Sequence, residues 1–152
     1  MKKPLFATIF LVIGLVIGGI IGVYYGAMHL GRPTGRFIVL GATAFKGNNA
    51  MQLYKKGEYS AAREALLEYV KILEEVSANP DYGNPRISRT DMVLTFTRLS
   101  LLEEANGHDD KAKEFMQRAL DETKLTHWEE LKKEKLRSIV VELDKYNPLE
   151  QK

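Results

Sequence analysis

The sequence predicts an all-α protein: one N-terminal transmembrane helix followed by a small domain of helical hairpins, closed by a C-terminal capping helix. Three observations carry that expectation. Leu5 to Met28 contains no charged residue. Beyond Gly57, apolar residues recur with the period of a helix. Two short polar turns, each with a glycine at its centre (Gly57 and Gly107), divide such stretches into pairs.

The apolar segment comes first. A helix over Leu5 to Met28 reaches roughly 36 Å at about 1.5 Å per residue, enough for a hydrocarbon core ~30 Å thick. The competing reading is a cleavable signal peptide, for which "MKK" would be the basic leader. The run is longer than such a peptide requires, it ends in "VYYGAMHLGR" with two tyrosines suited to an interface, and it lacks a small-x-small cleavage site. An uncleaved anchor is the expectation. Glycine returns every fourth residue within it, at Gly14, Gly18, Gly22 and Gly26. In water each would cost a helix about 1 kcal/mol, but in lipid the bare face lets another backbone approach closely. These four glycines are the expected packing face toward a second copy of the chain or toward another membrane-protein subunit.

Composition bounds the rest. The chain has 152 residues, a formal net charge of +2 and no cysteine, which leaves room for one small body and excludes thiolate nucleophiles, cysteine zinc sites and disulfides. The charge is unevenly placed: Lys2, Lys3, Arg32, Arg36, Lys46, Lys55 and Lys56 precede the first acid, Glu58. A basic collar beside an apolar span suits anionic lipid headgroups better than nucleic acid. Arg32, Arg36 and Lys46 are the candidate headgroup contacts, the alternative being that they only set topology.

Residues 1–28 are thus the expected anchor, 29–48 a membrane-proximal linker and 49–152 the helical body. Pro33 and Gly35 mark a break. From Arg36 the chain could form a helix to Lys56 or a short strand "RFIVL", and helix is favoured because no other segment offers a strand partner. In the body, "LYKKGEYSAAREALLEYVKIL" and "FTRLSLLEEANGHDDKAKEFMQRAL" follow one plan. Ser88 with Asp91, stapled by Ile87 and Met92, should open one helix, and Thr126 with Glu129 should open the last, from Trp128 to Tyr146.

The two units resemble tetratricopeptide repeats. Ala50, Leu53, Gly57, Tyr59, Ala62 and Leu66 in the first, and Phe96, Leu99, Ser100, Gly107, Ala112, Met116 and Ala119 in the second, fall on that motif's positions in order. Lys46 and Asn49 stand where the motif is apolar, and Glu103 where it is aromatic. The resemblance implies a partner-binding groove along the first helices of the two hairpins, with Met51, Tyr54, Lys55, Thr97, Leu101 and Glu104 on it.

No catalytic pattern stands out. His29, His108 and His127 are scattered, "GHDD" reads as a turn and helix start rather than a metal site, and the "EE" pairs read as solvated helix faces. No enzyme activity, cofactor, metal, nucleic acid or small-molecule substrate is expected. Two functions remain: an accessory or scaffold subunit packing into a larger integral-membrane complex, or a membrane-tethered adapter that holds a peptide or protein in its groove. The expected place is a bacterial inner membrane, spanned once, with the body in the periplasm.

Overall fold

The structure, a computed structural model, describes residues 35–150 apart from Pro80 and Glu129. The expected anchor, with Gly14, Gly18, Gly22 and Gly26, and the collar residue Arg32 lie outside the described residues. Among those described, the regular structure is entirely helical, with no strand. The helices are α1 (residues 35–55), α2 (Tyr59–Ala78), α3 (Pro85–Ala105), α4 (Asp109–Thr123) and α5 (Lys133–Asp144), followed by a 3₁₀ turn at Pro148–Glu150. No helix of the described residues is long and apolar enough to cross a membrane. The chain divides into two compact units at Ile38–Val39. In the first, Phe37 and Ile38 are exposed. The second forms the helical body.

In the body, α1 pairs with α2 and α3 with α4 through matching turns. Gly57 and Gly107 both take left-handed backbone angles, φ 71° and 78°, which a residue without Cβ adopts at no steric cost. Each glycine amide donates to the carbonyl three residues earlier, Tyr54 and Glu104, at 3.1 Å. Each following helix then starts alike, with Ala62 bonded to the Glu58 carbonyl and Ala112 to that of His108. The hairpin turns therefore stand where the two sequence glycines put them.

Tight packing in the first hairpin depends on Gly47. A Cβ there would lie 2.8 Å from the Tyr69 ring, so the absence of a side chain lets α2 approach. Lys46 adds an ion pair to Glu68 at 2.9 Å. Because α1 is engaged from this point, it runs without a break through residue 48, where linker and body were expected to divide.

Helix α3 is the centre of the body. It is buried on nearly all sides, from Met92 to Glu103, with Phe96, Leu99 and Leu102 in the core and Phe96 stacked on Phe115 of α4 at 6.4 Å. Arg118 of α4 lies over the Phe96 ring, 4.2 Å from its centroid, and reaches Glu74 of α2 at 3.3 Å. The Ser100 hydroxyl donates to the Ala112 carbonyl at 2.7 Å, which draws α3 and α4 together at two small residues.

Two helix starts differ from the sequence expectation. Helix α3 opens at Pro85, capped by Asn84, whose side chain accepts from the Arg86 amide at 3.0 Å. Proline at the first position has no N–H to satisfy and a backbone angle already suited to the helix, so this start precedes the Ser88 and Asp91 pattern. Ser88 is buried inside the helix and Ile87 is exposed, so Ile87 staples nothing. Helix α5 opens at Lys133 rather than Trp128. Thr126 is used at the end of α4 instead: its hydroxyl donates to the Thr123 carbonyl at 2.9 Å and accepts from the Trp128 amide at 3.0 Å. Trp128 and Leu131 pack on the core from the loop. Helix α5 buries Leu136, Val140 and Asp144, while Leu143 is exposed.

Candidate functional site

The groove expected along α1 and α3 is filled by the chain itself. Arg98 on α3 meets Asp144 on α5 through two hydrogen bonds, Nε to Oδ2 at 2.8 Å and Nη2 to Oδ1 at 2.9 Å. Two turns away Glu104 on α3 pairs with Arg137 on α5. These contacts set α5 antiparallel along α3, and by helical spacing Leu101 lies between the two anchor points. Thr97 and Leu101 are buried, and so is Tyr54 on α1, whose ring meets that of Tyr146 edge-on at 5.2 Å. Tyr54, Thr97 and Leu101 are therefore core residues here and not an open surface. Met51 is half-buried, Glu104 is spent on Arg137, and Lys55 alone of the six is exposed.

Tyr54 carries a cost. Its hydroxyl is buried without a hydrogen-bond partner, beside the Arg98–Asp144 pair. Burial, aided by Asp144, pushes its pKa far above the ordinary tyrosine value. Tyr69 shows a milder form: burial and the neighbouring Asp91 push it up to about 12.

A second polar cluster joins the two hairpins. Glu103, near the end of α3, is completely buried and accepts from Arg63 Nε at 2.6 Å and the Tyr59 hydroxyl at 2.8 Å, both on α2. His108, in the turn before α4, brings Nδ1 to 2.9 Å from the same carboxylate and from the Tyr59 oxygen. Burial alone would raise the Glu103 pKa, but the bonds from Arg63, Tyr59 and His108 outweigh it and hold the carboxyl below the usual range. Both carboxylate oxygens are committed to these donors, so the cluster works as a clamp between α2 and the second hairpin.

Sequence reading took Glu103 for part of a solvated acidic pair. The signal was present in the repeat register: Glu103 lies four residues before Gly107, as Leu53 lies four before Gly57, so it falls on a core position. An acid at such a position requires buried donors.

Two surface depressions accompany these contacts. One, of about 670 Å³, is lined by Tyr59, Arg63, Leu67, Lys71 and Lys111 together with Glu64 and Glu68. The other, about 200 Å³, lies between α4 and α5 beside Lys113, Lys133 and Arg137, with Glu104 and Asp109 among them. Both mix charges of either sign. Among the described residues no group of three or more His, Asp or Glu side chains is placed to hold a metal ion. Of the collar, Arg36 is exposed, whereas Lys46 is tied to Glu68. No protein-family model, curated protein or solved structure matches the chain.

Proposed function

We propose that the chain is a non-enzymatic accessory or scaffold subunit of a larger integral-membrane complex. It is held by a single span at residues 5–28 that packs through Gly14, Gly18, Gly22 and Gly26, and it carries a tetratricopeptide-like body. The matched turns at Gly57 and Gly107 support the repeat reading. A bacterial inner membrane with the body periplasmic is the placement that accompanies it.

One observation favours this reading over a peptide-binding adapter. An adapter of this kind needs an open face along the first helices of its hairpins, and here Tyr54, Thr97 and Leu101 on that face are buried while α5 is bolted across it by Arg98–Asp144 and Glu104–Arg137. A body closed on itself is suited to bracing a neighbour with its outer surface.

The test is on the glycines. Gly18→Leu and Gly22→Leu place branched side chains where a second backbone would lie, yet keep the span at least as apolar. Ile17→Leu and Val23→Leu are controls. After solubilisation in mild detergent, the glycine variants should leave the high-mass complex while the controls remain and all four still fractionate with membranes. If the glycine variants stay in the complex as well as the controls do, the packing role is wrong.

A further inference from the structure

The strained and unsatisfied features of the described residues gather around one element, α5. Two buried side-chain polar atoms lack a hydrogen-bond partner, the Tyr54 hydroxyl and Arg137 Nε. Both belong to the seat of α5: Tyr54 meets Tyr146 and lies beside Asp144, and Arg137 is on the helix itself, paired with Glu104 through its other nitrogens. Among the described residues, the one non-glycine with a left-handed backbone is Lys145, φ 50°, directly after the helix. A residue with a Cβ is strained in that conformation.

Little apolar surface opposes these features. Leu136 and Val140 are the apolar residues that α5 buries, its third buried residue being Asp144, whereas α2 buries Ala62, Leu66, Val70, Leu73 and Val76. After the helix, Tyr146 packs on the core and Pro148 is buried. The Arg98–Asp144 pair fixes the register of α5, but desolvation of the two charges offsets most of their attraction. The hairpins hold to each other without α5, through the Glu103 clamp and Arg118–Glu74, and α3 holds α4 through Ser100 and the Ala112 carbonyl. Before α5, Trp128 and Leu131 pack on the core, and Lys132 is extended with no side-chain cap. An element with few buried apolar contacts, joined to the rest at one extended residue, is where local opening is expected.

We infer that residues 133–150, α5 with the turn after it, form a strap that detaches as one unit from α1 and α3 while both hairpins stay folded, with Lys132 as its hinge. Opening gives water to the Tyr54 hydroxyl and to Arg137 Nε, and it uncovers Arg98 between Thr97 and Leu101 on α3. This opening goes beyond the accessory role proposed above, which needs only the closed form, and it does not depend on the anchor.

The absence of cysteine makes a site-specific test direct. In the full chain in mild detergent, Leu101→Cys and Thr97→Cys each place one thiol on the flank of α3 that faces α5. Ser100→Cys places one between α3 and α4, and Leu143→Cys one in the open. Each variant is labelled with a water-soluble thiol reagent. Labelling at 97 and 101 should be at least about tenfold faster than at 100, and at least about tenfold slower than at 143. Adding Phe115→Leu, which loosens α4 on α3, should speed labelling at 100 several-fold and leave 97 and 101 within about twofold. Rates at 97 and 101 equal to that at 100, or rising with it in the Phe115→Leu background, mean that α5 leaves only when the whole body opens, and overturn the strap. Rates equal to that at 143 mean that α5 has no seat to leave, and overturn it as well. A fast thiol at 101 beside a slow one at 97 reflects the shortened leucine alone and has the same consequence.

Discussion

Arg98 and Asp144 form a two-pronged ion pair inside the protein, at 2.8 and 2.9 Å, with both side chains almost wholly removed from water. Two parallel N–H···O bonds fix direction as well as distance, so the pair sets the register of α5 on α3. It does not follow that the pair adds much net stability, because desolvating both charges offsets most of their attraction. Breaking it is another matter. Asp144→Asn or Arg98→Met should each destabilise the full chain in detergent by about 3–5 kcal/mol, whereas Arg98→Met with Asp144→Leu should cost clearly less than the sum. Thermal melts followed by circular dichroism give the comparison, and strict additivity would mean that the two side chains act separately.

The Glu103 clamp predicts an acid response with a definite sign. Its folded pKa lies below the unfolded value near 4.5, so its contribution is full above that pH and is lost as pH falls through the folded pKa. Wild type should therefore lose stability on acidification below about pH 4.5 more steeply than Glu103→Gln, which should already be weaker by about 1–3 kcal/mol at neutral pH. Asp91 has the opposite sign, since burial raises its pKa, and Asp91→Asn should be neutral or stabilising at pH 7. Denaturant midpoints across the acid range would show both effects. Parallel curves for wild type and Glu103→Gln would refute the clamp.

The two turn glycines should not be equally replaceable. Alanine at either must adopt left-handed angles, at about 1–2 kcal/mol. A Cβ at Gly57 also meets the Tyr146 hydroxyl at 3.2 Å, while one at Gly107 meets nothing within 4 Å. Gly57→Ala is therefore expected to be the more damaging, and Tyr146→Phe should narrow the gap. A larger loss at Gly107 would contradict the geometry.

Within α1, alanine should act with opposite sign at two glycines six residues apart. Gly41 faces open space, and Gly41→Ala should stabilise by roughly 0.5–1 kcal/mol through helix propensity alone. Gly47→Ala must displace the Tyr69 ring and should destabilise by about 1–3 kcal/mol, a loss that Tyr69→Leu relieves. Melting temperatures of the four variants provide the check.

What could be read from sequence followed local chemistry. Gly57 and Gly107 located both hairpin turns, because a left-handed turn between apolar-periodic stretches has few solutions other than glycine. Helix starts were less legible. Thr126 fits a helix-opening pattern, but its hydroxyl is used to close the preceding helix, a choice fixed by where the chain must go next. The closing of the expected groove by α5 was missed for a similar reason. Nothing near Thr97 or Leu101 in sequence announces that a helix some forty residues later lies across them, since the pairing of Arg98 with Asp144 has no local signature. In α5 the acid Asp144 is buried against Arg98 while its neighbour Leu143 is exposed, the reverse of what their polarity alone would suggest.

That separation has a consequence for how the chain is made. Arg98 waits for a partner 46 residues downstream. At a synthesis rate of about 5–20 residues per second, the interval between the two is roughly 2–9 s. Once Thr123 has been made both hairpins have their turns, yet until α5 follows the flank of α3 bearing Thr97, Arg98 and Leu101 has nothing over it. A nascent chain at this stage presents an apolar strip around an unpaired cation. This is the form in which a chaperone or a protease would meet the protein, and the arrival of α5 ends that exposure.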